Sequence, residues 1–152
     1  MLTIAPFLWF ESQAEEAMNF YASIFPRSKS LGVHRAGDKV MSVEYELEGQ
    51  RFMALNGGPA FTFNEAVSFI VTCETQQEID DLWSRLTANG GSPGRCGWLK
   101  DKFGLSWQVV PSALGRLMSG GGDPARAKRV MDAFFQMNKF DVGQLQAAYD
   151  GN

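Results

Sequence analysis

Apolar and polar positions alternate along this chain with two different periods, and the switches between them mark out its elements. Thr3 to Phe10 reads as a strand. From Ala14 the spacing becomes helical, with Ala14, Ala17, Met18, Tyr21, Ile24 and Phe25 on one stripe and Pro26 as a stop. Ser12-Gln13-Ala14-Glu15 has the S-x-x-E form of a capping box, in which the serine accepts from a first-turn amide and the glutamate reaches back, so this helix is expected to open at Ser12. Period two then returns at about Ser30 to Arg35, Val40 to Glu48 and Arg51 to Asn56. The turn pairs Gly37-Asp38 and Glu48-Gly49 separate these runs, which predicts three antiparallel strands.

The same order repeats. Ala66 to Cys73 is a strand, Thr75-Gln76-Gln77-Glu78 is a second capping box, and Ile79, Leu82, Trp83 and Leu86 form the buried stripe of a helix closed by Asn89-Gly90-Gly91. A hairpin follows, with strands Cys96 to Lys100 and Leu105 to Val110 around the turn Asp101-Lys102-Phe103-Gly104, and Pro111 ends it. Alternation puts Ser106, Gln108 and Val110 on one face and Leu105, Trp107 and Val109 on the other. The repetition predicts an α+β fold of two βαβββ modules within a single domain, residues 1–58 and 59–111. After Pro111 the pattern is helical: a turn at Ala113 to Met118, a flexible Gly120-Gly121-Gly122 link, and a helix opened by Asp123-Pro124 with Ala127, Val130, Met131, Phe134 and Met137 on its apolar face. Asp141 starts a last helix carrying Val142, Leu145, Ala148 and Tyr149. Residues 112–152 are thus a C-terminal helical extension whose apolar faces must be buried, either on its own body or on a partner subunit.

Charge and composition narrow the function classes. The 152 residues carry 14 basic and 17 acidic side chains, a net charge of -3 that argues against a nucleic-acid partner. No apolar run approaches membrane-spanning length and the N-terminus has no basic n-region, so no membrane association and a cytoplasmic location are expected. Cys73 and Cys96 lie in apolar strand-like runs and read as buried thiols rather than a disulfide. His34, the one histidine, has no ligand-spaced company. Glu44, Glu46 and Glu48 share a strand face, which reads as solvated rather than as an acid-base cluster. There is no nucleophile elbow, phosphate loop or glycine-rich strand-to-helix turn of the kind that S-adenosylmethionine-dependent methyltransferases commonly use.

The segments TIAPFLWFESQAEEAMNFYASIFP, RFMALNGGPAFTFNEAVSF and CGWLKDKFGLSWQVVP, in this order, resemble the vicinal oxygen chelate superfamily (glyoxalase, bleomycin-resistance and extradiol-dioxygenase relatives). More closely they resemble its PhnB-like, 3-demethylubiquinone-9 3-methyltransferase-like branch. The resemblance implies metal-ligand positions on the first, fourth, fifth and eighth strands, which match Pro6, Ala54, Ser68 and Gln108. Only Gln108 offers a good donor, so no metal and no cofactor are expected. On the faces these positions define, Leu8 and Phe10 go with Pro6, Asn56 with Ala54, Ile70 with Ser68, and Ser106 and Val110 with Gln108. The expected site is a mostly apolar cleft in which Asn56, Ser68 and Gln108 orient a small, partly apolar ligand against Leu8, Ile70 and Trp98. Phe61 and Phe63 follow Gly57-Gly58 and either cover the opening or pack beneath a linker; Trp98 either lines the pocket or packs in the sheet. Three function classes stay open: a binding protein for a quinone-like or aromatic molecule, an enzyme acting on such a molecule without the usual metal, and an interaction protein using the C-terminal helices. Homodimerisation is expected, because paired βαβββ proteins commonly complete their clefts across a two-fold axis.

Overall fold

A computed structural model describes all 152 residues and contains two compact units, Met1–Phe63 and Asn64–Asn152. The first unit holds β1 (Phe7–Phe10), α1 (Ala14–Ile24), β2 (Ser28–Ala36), β3 (Lys39–Leu47) and β4 (Gln50–Asn56), in a four-stranded sheet of order β1-β4-β3-β2. β1 runs parallel to β4 with Leu8 opposite Ala54, and β2, β3 and β4 form an antiparallel meander. One face of this sheet, made of Leu8, Phe10, Val43, Tyr45, Leu47, Phe52 and Ala54, is buried, as are Ala14, Ala17, Met18, Tyr21 and Ile24 of α1. Tyr45 stacks on Phe52 at 5.5 Å and on Tyr21 of the helix at 6.5 Å, which ties sheet to helix through large apolar surfaces.

The second unit repeats the plan with β5 (Ser68–Cys73), α2 (Gln76–Leu86), β6 (Ser92–Pro93), β7 (Trp98–Lys100) and β8 (Ser106–Pro111), in the sheet order β5-β8-β7-β6 with β5 parallel to β8. Both sheets are therefore mixed, and the βαβββ repeat read from the sequence is the architecture. Cys73, Leu99, Trp107 and Val109 are buried on the helix side, with Ile79 and Leu86 of α2. The turn before β8 is fixed by Asp101, only 2% exposed, whose carboxylate accepts from the amides of Phe103 and Leu105 and from the Trp107 indole at 2.9–3.1 Å. A buried carboxylate is tolerable only with such a set of donors.

The C-terminal extension belongs to this second unit. It comprises α3 (Leu114–Met118), α4 (Pro124–Phe134) and α5 (Val142–Asp150). Asp123 and Asp141 cap the last two helices through the amides of Ala125 and Gln144, as their sequence positions predict. Leu117, Val130, Met137, Phe140 and Leu145 form one core with Val110 of β8, so the extension packs on its own chain and leaves Met131 and Phe135 exposed. Gln76 bridges the junction of α4 and α5, donating to the Phe140 carbonyl and accepting from the Val142 amide.

Four expectations need correction. The strand read from Thr3 begins only at Phe7. The Ser12 to Glu15 box does not form: Gln13 is the N-cap without a side-chain bond, and Glu15 pairs with Arg35. The predicted strand Cys96 to Lys100 starts only at Trp98, because Cys96 and Gly97 are left-handed (φ 55° and 83°) and turn their amides to the carbonyls of Met137 and Asn138. The triple glycine is a tight 3₁₀ turn rather than a flexible link: a Cβ on Gly120 would lie 2.4 Å from the Ala127 nitrogen.

Candidate functional site

Each sheet has a face that its own helix does not cover. In the second unit this open face is ordered in rows by strand register. Ile70, Gln108 and Trp98 lie side by side in one row, and Ser68, Ser106 and Lys100 lie in the next. Ile70 is 61% exposed, and Gln108, Trp98 and Ser68 are half-buried. Gln108 Nε2 donates to Ser68 Oγ at 3.0 Å, which orients the amide and leaves its oxygen on the other branch. Ser106 is 1% exposed and its hydroxyl has no partner. Lys100 is ion-paired with Glu65, and that bond holds the Glu65 carboxyl below its usual range. Beyond Gln108 on the same face, Val110 disappears under the C-terminal helices, which close that end of the face. Of the residues expected to line a cleft, Ser68, Ile70, Trp98 and Gln108 lie together on this face.

In the first unit the expected wall falls on the opposite side. Leu8 is buried, and Ala54, opposite it, is 0% exposed. Asn56 is a structural residue: its Oδ1 accepts from the Ala14 amide at 2.9 Å, replacing the missing cap of α1, and its Nδ2 donates to the Val40 carbonyl. The face left open carries Phe7, Trp9, Met53 and Leu55, and also Ser42, Glu44 and Glu46. Glu44 pairs with Arg51 at 2.7 Å and Glu46 with Lys29 at 3.2 Å, while Glu48 lies in the β3–β4 turn with φ 49° and so leaves the strand face.

Sequence reasoning missed Trp9. Phe7 and Trp9 are as apolar as Leu8 and Phe10, so alternation splits the strand into two greasy faces without saying which one the helix covers. A signal was nonetheless present in Gly57-Gly58. Trp9 Nε1 donates to the Gly58 carbonyl at 3.0 Å, and a Cβ on Gly57 would lie 2.2 Å from the indole. Phe61, 64% exposed, meets Trp9 edge-on at 5.0 Å, whereas Phe63 meets the buried Phe10 at 5.2 Å. Phe61 thus stands over the open face of the first sheet and Phe63 at the edge of its core.

The residues present do not fit a resident transition metal. Pro6 and Ala54 have no donor, Ala54 faces α1, and Ser68 and Gln108 are engaged with each other. No three His, Cys, Asp or Glu side chains gather where they could hold an ion. Cys73 is no nucleophile either, since burial and then the charges of Glu78 and Glu74 push its thiol up to about 11. A surface depression of about 370 Å³, lined by Arg27, Ser28, Lys29, Glu46, Glu48 and Gly49, holds none of the expected residues, and Glu48 and Glu46 neutralise its two cations. No helix is long and apolar enough to cross a membrane.

Comparison with known proteins agrees with this architecture. The family described as 3-demethylubiquinone-9 3-methyltransferase matches residues 2–110. The PhnB protein from Bacillus cereus is 36% identical, with 73% of this chain and 100% of that one aligned at a TM-score of 0.68. Two more distant structures share the fold at 14% identity. They are a glyoxylase/bleomycin resistance protein/dioxygenase domain from Frankia (TM-score 0.50, covering 73% of this chain and 92% of that one) and a glyoxalase-related enzyme from Fulvimarina pelagi (TM-score 0.51, covering 74% and 91%). No curated protein matches. The family match ends at Val110, so α3 to α5 lie beyond it. With the βαβββ repeat, the mixed sheets and the sequence match in agreement, the chain belongs to the 3-demethylubiquinone-9 3-methyltransferase (PhnB-like) family.

Proposed function

We propose that this protein binds a small, partly apolar molecule on the open face of its second sheet, and that it does so without a resident metal. The observation that carries this reading is the row Ile70, Gln108, Trp98. It sets one oriented amide between an exposed aliphatic side chain and an indole, the mixture of apolar walls and a few fixed polar groups typical of small-molecule sites. The width from Ile70 to Trp98 is two strand spacings, about 10 Å, which suits a single flat aromatic or quinone-like ring. Ser68 and Gln108 orient the ligand and Ile70 and Trp98 hold its apolar part, while Leu8 and Asn56 act through the fold. A thermal-shift screen of quinones, aromatic acids and apolar antibiotics tests this. A ligand at a hundred times its Kd adds about 2.7 kcal/mol, or roughly 5–10 °C for a chain of this size. The shift should shrink in Gln108→Leu and persist in Asn56→Ala measured against its own baseline.

A second reading, an enzyme of the same family acting on such a ligand, is favoured by the methyl transfer in the family's description. It requires a methyl donor to bind as well, so saturable binding of S-adenosylmethionine to the purified protein would support it and its absence would count against it. We also place the protein in the cytoplasm as a homodimer. Support for a second copy comes from Leu2, Ile4, Phe7 and Met41 of the first unit, apolar side chains that stand exposed. The C-terminal helices add less support, since most of their apolar side chains pack on their own chain and only Met131 and Phe135 among the large ones stand exposed. A monomer by sedimentation at micromolar concentration would contradict the dimer.

A further inference from the structure

Three polar side chains on the open face of the second sheet, Ser68, Ser106 and Gln108, share a single hydrogen bond. Ser68 and Ser106 are opposite each other in register, and Gln108 is two residues beyond Ser106 on the same face. In their one bond the Gln108 amide is the donor and Ser68 the acceptor, so the Gln108 carbonyl oxygen stays unused as an acceptor and the Ser68 hydroxyl proton as a donor, while the unpartnered Ser106 hydroxyl, 1% exposed, lies beneath them out of a ligand's reach. Lys100, the one charged group in these rows, is already paired with Glu65, which leaves the face without net charge to offer.

From this geometry we infer that the ligand is recognised through an uncharged hydroxyl group on a ring, rather than through a carbonyl or a carboxylate. The inference rests on the proposed binding face. A hydroxyl both donates and accepts, so one group about 2.8 Å from each partner can donate to Gln108 Oε1 and accept from Ser68. A carbonyl can only accept, which would leave the Gln108 oxygen facing a second acceptor, and a carboxylate would bring an uncompensated charge against it. Trp98 and Ile70, flanking Gln108 in its row, then hold the ring carrying the hydroxyl. The Gln108–Ser68 bond thereby becomes a specificity device: it determines which face of the amide a ligand meets.

The test uses three probes of one shape, 2-naphthol, its methyl ether 2-methoxynaphthalene and 1,4-naphthoquinone, titrated calorimetrically into the full chain. The expected result is that 2-naphthol binds at least tenfold more tightly than the other two. Gln108→Leu, which removes the acceptor oxygen, should weaken 2-naphthol binding about tenfold and leave 2-methoxynaphthalene binding unchanged. Equal binding of the three probes, a preference for the quinone, or unchanged 2-naphthol binding in Gln108→Leu would overturn the inference while leaving the binding face standing. No saturable binding by any probe would overturn both. The probe series on the unmodified chain decides the matter even if a variant folds poorly.

Discussion

The two modules use the same five elements in the same order, yet they present opposite faces at positions counted back from their helices. Glu11, Ser12 and Gln13 connect β1 to α1, whereas only Glu74 and Thr75 connect β5 to α2. In both modules the last strand residue, Phe10 or Cys73, is buried on the helix side. Counting the same number of residues back from each helix start therefore reaches a helix-facing position in the first strand and an open-facing one in the fifth. Leu8, buried, and Ile70, exposed, are such a pair. With a side-chain period of two, one extra residue is enough to move a whole set of side chains across the sheet. The same residue carries a second cost. The two-residue connection puts Thr75 where it can accept from Glu78 while Glu78 bonds back, and the box closes. In the first module Ser12 sits one position too early, so Asn56 supplies the cap from β4 instead.

Substitutions that confuse the two modules should cost most. Ala54→His, which places a family-type ligand at the matched position, would force an imidazole into the contact with α1. Overpacking plus a buried polar group should destabilise on the order of 4 kcal/mol by chemical denaturation. A stable Ala54→His that takes up zinc would show that this position faces an open site after all. Asn56→Ala removes one bond to the helix start and one to Val40, so a loss of about 2 kcal/mol, or roughly 4–8 °C in Tm, is expected with ligand affinity unchanged. Thr75→Ala should cost about 1 kcal/mol, because it opens the local box alone. At the small end, Glu44→Gln breaks only a partly exposed pair with Arg51 and should change stability by less than about 0.5 kcal/mol. A larger effect there, or a loss of ligand binding, would assign the acidic face of the first sheet a role it lacks in this account.

Most of the fold was legible because its signals are local. Turn pairs such as Gly37-Asp38 and Glu48-Gly49, the Thr75 box, Asp123-Pro124 and the helical stripes each act within a few residues and appear where the pattern puts them. The second-module half of the candidate site was legible for a related reason: Ser106 and Gln108 break an otherwise apolar strand, so alternation reveals their face. The first-module half was not. β1 is apolar on both faces, and the deciding facts, a one-residue difference in connection length and a cap arriving from 42 residues away, are long-range. The fate of the C-terminal helices was equally hidden, because an apolar stripe states that it needs cover but not where the cover lies.

The central claim, that the ligand lies on the open face of the second sheet, can be tested with the indole N–H signals of the four tryptophans. Trp98 stands in the row with Gln108, while Trp107, its neighbour by one residue across β8, points to the helix side and donates its indole N–H to buried Asp101. In a ¹H–¹⁵N titration with 2-naphthol, the Trp98 indole signal should move saturably and the Trp107 signal should stay in place. A saturable shift of Trp107 or of Trp9 with Trp98 unmoved would contradict the account and put the binding surface elsewhere.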